Sequence, residues 1–214
     1  MAQTNFVKNA IFNHVYRNTP YTQPATVHLA AYSVKPALDG TGGTELTGGS
    51  APGYARVAVT FAAPSAGAGD NSAQIDLPAN SSGSNWPEIV AWGICDASSG
   101  GNILNTDFFI APNTRTPFTA VASTEIFTAP GHSFANGDKV VLKAASGLPS
   151  GVTADTIYYV ISVSGNTFQL SLTNGGAAIN ITTDGDGEIM KVVTHVVPAA
   201  GNLKINAGDL DIIL

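Results

Sequence analysis

The chain has 214 residues, room for one large β domain or for one domain carrying a smaller one. Charged residues make up only 11% of it, against roughly a quarter in ordinary soluble domains, and the formal net charge is −6. A surface so poor in charge is weakly protected against association, which points to a protein whose partners cover it; the alternative is a secreted monomer with a Thr/Ser/Asn surface.

The elements follow in chain order. Val7, Ile11 and Val15 form an i, i+4, i+8 row, with Phe6 beside it, so the spacing predicts one helix over residues 4–18. Thr4 or Asn5 is the expected N-cap, and Pro20 closes the segment. From Thr26 the signal is β. A Gly-rich loop runs from Lys35-Pro36 to Gly53, and a long alternating strand is expected over Tyr54–Phe61. Shorter strands are expected over Gln74–Leu77, Ile89–Cys95 and Ile103–Ile110, with a tight turn over Asp96–Gly101. The C-terminus reads as a hairpin, Asn202–Ile205 turning through Asn206-Ala207-Gly208-Asp209 into Leu210–Leu214.

A second block lies between about Arg115 and Lys191. Glu125–Thr128, Lys139–Leu142, Ile157–Val163, Thr167–Leu172 and Ala178–Thr182 read as four or five short strands joined by tight turns such as Ser164-Gly165-Asn166 and Asn174-Gly175-Gly176. This block interrupts strands that otherwise belong together. The expected fold is therefore all-β: a β-sandwich with one N-terminal helix and an inserted second small β domain. The base would comprise residues 1–114 plus 192–214 and the insertion residues 115–191, folding separately and pointing away from whatever the base attaches to.

No chemistry declares itself. Nine basic residues are scattered from Lys8 to Lys204 without an electrostatic footprint for nucleic acid. The lone Cys95 excludes an intrachain disulfide and cysteine-paired zinc, and reads as a buried small hydrophobe. His14, His28, His132 and His195 fall in no metal motif. Asp184, Asp186 and Glu188 alternate with glycine like calcium ligands, but the string lacks the length of an EF-hand loop and reads as a solvated turn. Trp92 reads as core and Trp86 as a strand-edge anchor, with sugar stacking as its alternative. No catalytic residue, cofactor site or metal site is assigned. The Met1–Asn5 start has no basic patch followed by an apolar run, so it does not read as a signal peptide, and no stretch has membrane-span length.

Several segments, in order, resemble a family of small tailed-phage virion proteins labelled tail-fibre-like or structural. They are Asn5-Phe6, Asn9 to Val15, Tyr21 to Val27, Gly42 to Glu45, Tyr54 to Phe61, Trp92 to Ala97, Gly100 to Leu104 and Ala207 to Leu210. The likeness covers about 1–113 and 192–214, and Cys95 stands where an aromatic or aliphatic residue would fit the pattern. Phe134 to Val140, Tyr158 to Val160 and Asn166 to Leu170 look like a small β module inserted in many phage surface proteins. The resemblance implies a non-enzymatic virion protein, assembled in the host cytoplasm. It implies as partners other copies of the chain, a trimer first, together with the major capsid protein or tail proteins; no nucleic-acid or membrane partner is expected. A compact chain without fibrous repeats puts a head decoration (cement) protein first, a tail-fibre, tail-tip or adaptor protein second and a carbohydrate-binding module last. Phe6, Val7, Ile11 and Val15 are the candidate assembly contacts, with packing on the chain's own sheet as the alternative.

Overall fold

The structure is a computed structural model that describes residues 2–213, leaving Met1 and Leu214, the last residue of the expected C-terminal strand, outside the described residues. It falls into two compact units, one reaching to Phe109 and resuming at Thr194, the other spanning Ile110–Val193.

The first unit is organised on one sheet. Its strands are β1 (Ala2–Gln3), β2 (Val27–Val34), β3 (Thr44–Glu45), β4 (Val57–Val59), β7 (Ala91–Cys95) and β8 (Ile103–Phe108). The order is β1-β8-β7-β2-β3, with β4 also pairing β2. Between these strands lie β5 (Ala68–Asp70) and β6 (Ile75–Asp76). All five residues of β7 are buried, so both sheet faces are covered. On one face the pairs Leu29–Ile94 and Ala31–Trp92 meet Trp86, Leu77, Val197 and Leu203 in a single apolar core. Trp86 belongs to this core rather than to a strand edge: it is buried and donates its indole N–H to Pro52 O at 3.1 Å. On the other face Tyr32 lies across Gly93, where an added Cβ would stand 3.0 Å from the ring, and reaches to 4.0 Å from Cys95 Sγ. Cys95 is wholly buried, and burial pushes its thiol pKa up, so it behaves as an apolar residue.

Two expectations for this unit need correction. Tyr54–Phe61 is not one long strand; Val57–Val59 pair with β2 and Phe61 makes a single bridge to Asn71, while Tyr54 and Arg56 serve cross-links instead. The Tyr54 hydroxyl accepts from Ala31 N–H at 2.9 Å and donates to Glu45 Oε1 at 3.0 Å. Arg56 holds Glu45 through Nε–Oε1 (2.8 Å) and Nη2–Oε2 (2.7 Å), while its Nη1 donates to the carbonyls of Ala97 and Gly100. The C-terminal segment is not a hairpin either. Its strands β15 (Lys204–Ile205) and β16 (Asp211–Ile213) pair with β6 and β5 instead of with each other. The buried Asn71 dictates this path: its side-chain amide donates to Asn206 O and its carbonyl oxygen accepts from Leu210 N–H.

The second unit is a closed barrel of six strands in the order β10-β13-β12-β11-β14-β9. These are β9 (Thr116–Val121), β10 (Ile126–Thr128), β11 (Lys139–Ala144), β12 (Tyr158–Ser164), β13 (Thr167–Ser171) and β14 (Gly185–Lys191). Closure removes the exposed edges that invite aggregation. A barrel this small is filled by side chains: Phe118, Phe127 and Phe168 pack in sequence, with centroids 5.4 and 5.9 Å apart, over Val140, Leu142 and Val160. The Asp184–Glu188 string is not a solvated turn but the opening of β14. Asp184 accepts from Ala122 N–H, Asp186 from the backbone and hydroxyl of Ser146, and Glu188 from Arg115, so the three carboxylates serve three different segments. Ala178–Thr182 is likewise no strand, although Ile181 is buried in the barrel core.

Trp86 and Trp92 both lie in the first unit, so Trp fluorescence reports that unit separately. Arg56→Met should cost it about 2–3 kcal/mol, a value discounted because Glu45 is partly exposed, and Arg56→Lys should recover only a minor part because an ammonium cannot fork. Urea unfolding followed at the Trp signal measures this; a loss under about 0.5 kcal/mol would show that the cross-link carries little. In the barrel, a Cβ at Gly187 would collide with Lys143 O and stand 3.0 Å from Phe118, whereas one at Gly147 meets nothing within 4 Å. Gly187→Ala should therefore destabilise the barrel by about 2 kcal/mol, read by amide exchange of β11 and β14, and Gly147→Ala should leave it unchanged.

Candidate assembly surface

The helix α1 spans Asn5–Tyr16. It is secured mainly at its first residues. Thr4 is buried, and its hydroxyl is directed to Ile103 O (2.6 Å) and Leu104 O (3.0 Å) on β8, while its N–H donates to Leu104 O. Thr4 occupies the N-cap position, but with the hydroxyl spent on β8 it makes no side-chain cap; Asn5 N–H is met instead by Leu38 O at 2.7 Å. The helix ends before Pro20 is reached: Asn18 turns left-handed at φ 51°, and the N–H groups of Arg17 and Thr19 both return to Asn13 O. Beyond it, Tyr21 N–H donates to His14 Nδ1 at 3.4 Å, folding the following segment back along the helix.

None of the residues of α1 is buried. Phe6, Ile11, Phe12, Val15 and Tyr16 are 37, 43, 56, 61 and 74% exposed, an unusual run of large apolar side chains on one element. Of the four candidate contacts, Val7 packs inward against the sheet core, while Phe6, Ile11 and Val15 do not. The structure gathers Val7, Ile11 and Val15 along one apolar groove of about 460 Å³, closed on its other side by Tyr21, Pro24 and Val27, with Leu104 and Asn105 of β8 also in its lining. Phe6 does not line it; it meets Tyr21 edge-on at 6.3 Å and faces a second, polar cleft containing Tyr32, Glu45 and Arg56. The ion pair in that cleft is internally satisfied, Arg56 holding both oxygens of Glu45 and two carbonyls.

Two features escaped the sequence reading. Phe12 and Tyr16 form a tilted ring pair at 5.1 Å, visible in sequence only as an i, i+4 aromatic spacing. Asn105 is 6% exposed, yet its Nδ2 has no hydrogen-bond partner, and nothing in sequence distinguishes it from a surface amide. Among the described residues no group of three or more His, Cys, Asp or Glu is placed to share a metal ion, and no helix is long and apolar enough to cross a membrane.

A mostly β chain that displays its apolar surface on a tethered helix is built to be covered by other proteins, and this one is a structural protein of a phage particle. Residues 2–125 match the family described as Podophage GP4 fiber I protein gp80, and the chain belongs to that family. The match takes in α1, the whole sheet of the first unit and β9, and it bears out the virion resemblance carried by Asn5–Val15 and Tyr54–Phe61. No curated protein matches the chain.

Thr4→Val should leave the sheet core intact but loosen the helix from β8. The expected readout is faster amide exchange over residues 5–16 with exchange in β7 unchanged; equal exchange in both proteins would show that Thr4 does not hold the helix.

Proposed function

We propose that the chain is a non-enzymatic fibre subunit of a tailed-phage particle that assembles with copies of itself, as a trimer, and with other virion proteins. The observation that carries this reading is α1. A helix with no buried residue and five exposed large apolar side chains is costly for a soluble monomer, and ordinary for a subunit whose helix is covered on assembly. Phe6, Ile11 and Val15 are the contacts we assign to assembly, with Val7 holding the helix to its own core. The family's fibre description supports an appendage ahead of the capsid-cement role that compactness alone suggests. The sheet of the first unit, with the β5–β16 and β6–β15 ribbons, serves as a sandwich-like base attached to capsid or tail proteins. Residues 115–191 form a separately folding insertion that attachment does not require. Sugar binding through Trp86 has no support, because that ring is buried.

Immunogold labelling of purified particles tests this. Gold confined to projecting appendages is the expected result. Gold spread evenly over the capsid faces would favour cement, and particles without label would remove the virion role. Replacing 115–191 by a short Gly/Ser linker should leave labelling unchanged.

A further inference from the structure

Two Asn-Gly pairs lie in turns of the barrel unit, Asn136-Gly137 before β11 and Asn174-Gly175 after β13. Asparagine followed by glycine is prone to ring closure in water. Glycine has no Cβ to shield its backbone nitrogen, which can reach the side-chain carbonyl carbon of the residue before it and close a five-membered ring. In sequence the two pairs are equivalent, and both asparagines are exposed. The fold makes them different.

At Asn136 both reacting groups are held. Its Oδ1 accepts from Val163 N–H at 3.0 Å, and the N–H of Gly137, whose nitrogen would have to attack, donates to Val160 O at 2.8 Å. Both partners belong to β12, so ring closure at Asn136 requires two hydrogen bonds to that strand to open. Asn174 has neither restraint. Gly176 N–H returns to Thr173 O at 3.0 Å and leaves Asn174 and Gly175 on the outside of the turn. Gly175 is left-handed there, at φ 68°, and a Cβ on it would meet nothing within 4 Å. Among the described residues no group hydrogen-bonds the Asn174 side chain, and the Gly175 N–H has no backbone partner. The Asn174 carboxamide lies against Gly137, its Oδ1 3.2 Å from where a Cβ of that glycine would stand.

We propose that Asn174 is a site of spontaneous covalent modification, its side-chain amide converting to aspartyl and isoaspartyl carboxylates through a succinimide, and that the fold protects Asn136 from the same reaction. Hydroxide removes the Gly175 amide proton, and the nitrogen attacks Asn174 Cγ. The Cγ–Nδ2 bond breaks, and Nδ2 leaves as ammonia with a proton from water. Water then adds to one of the ring's two carbonyl carbons and breaks its bond to the Gly175 nitrogen, which is left as an ordinary amide. Addition at Cγ gives aspartate in a normal chain. Addition at the Asn174 main-chain carbonyl gives isoaspartate, with the chain running through Cγ and one methylene longer. The net change is amide plus water to carboxylate plus ammonium. It adds one negative charge to the formal net charge of −6, on a turn that abuts Gly137.

Incubating the full-length folded protein in mildly alkaline buffer tests this. Trypsin puts the two sites on separate peptides, residues 116–139 and 144–191, so each conversion is read by its own mass gain as NH2 becomes OH, and fragment ions locate it. Asn174 should convert about thirtyfold faster than Asn136, the factor set by opening two hydrogen bonds of typical net strength. In urea, where neither turn persists, the two rates should converge. Asn174→Gln, whose longer side chain does not form the five-membered ring, should abolish the gain on residues 144–191 and leave residues 116–139 and the circular dichroism unchanged. Equal rates at the two sites in the folded protein, or earlier conversion of Asn136, would overturn the protection. An Asn174 that stays an amide in the folded protein while it converts in urea would overturn the site.

Discussion

The first unit depends on one side chain, Arg56. Its guanidinium is nearly buried and ties its own segment to two others: the β3 edge through both oxygens of Glu45, and the β7–β8 turn through the carbonyls of Ala97 and Gly100. A planar fork is suited to this, since it satisfies a bidentate carboxylate and two carbonyls at once and so places four of its five N–H donors. Asp96 completes the turn by accepting from the backbone and side-chain amide of Asn102, and Gly101 fits beside it only because it has no Cβ. Fixing this turn fixes where β8 begins. Ile103 and Leu104, its first two residues, are the ones that hold Thr4, so the position of α1 follows from the Arg56 cross-link, whose cleft Thr4 and Phe6 also line. The display of an apolar helix is thus built on a rigid support.

The second unit reaches rigidity by a different route. Its salt bridges Arg115–Glu188 and Lys191–Asp138 are partly exposed and contribute little. Its order comes from closure, with β9 and β14 completing the ring of strands around stacked phenylalanines. Glycines are placed where the circle is tightest. Gly185 abuts Pro149, and Gly187 abuts Lys143 O and Phe118. The chain enters and leaves this unit side by side, Ile110 bridging Val192, a geometry that lets a domain be inserted without disturbing its host.

Where local pattern and fold coincide, the sequence was readable. The helix, the alternation of β2, the buried run of β7 and the Asp96–Gly101 turn all follow from short-range spacing and turn chemistry. Reading failed where distant residues decide. β9 carries a proline and β14 reads Gly-Asp-Gly-Glu, both poor strand signals, yet barrel closure makes them strands. Tyr54 and Arg56 look like strand residues and are diverted to cross-links 9 to 44 positions away. The C-terminal strands pair with β5 and β6 because Asn71, more than a hundred residues earlier, claims them. The Val7–Ile11–Val15 row of the proposed assembly surface was legible as a periodicity. Asn105 was not, because a polar residue alternating with apolar ones normally marks a solvent face, and here both faces of β8 are covered.

We propose that the base unit presents the α1 side for burial by neighbouring subunits and that the self-contained barrel takes no part in that burial. Hydrogen exchange compared between the free protein at high dilution and the same protein in purified particles tests it most directly. The account predicts strong added protection over residues 5–24 on assembly, with the barrel strands from Thr116 to Lys191 unchanged. Added protection confined to the barrel, with residues 5–24 exchanging as fast in the particle as in solution, would contradict it.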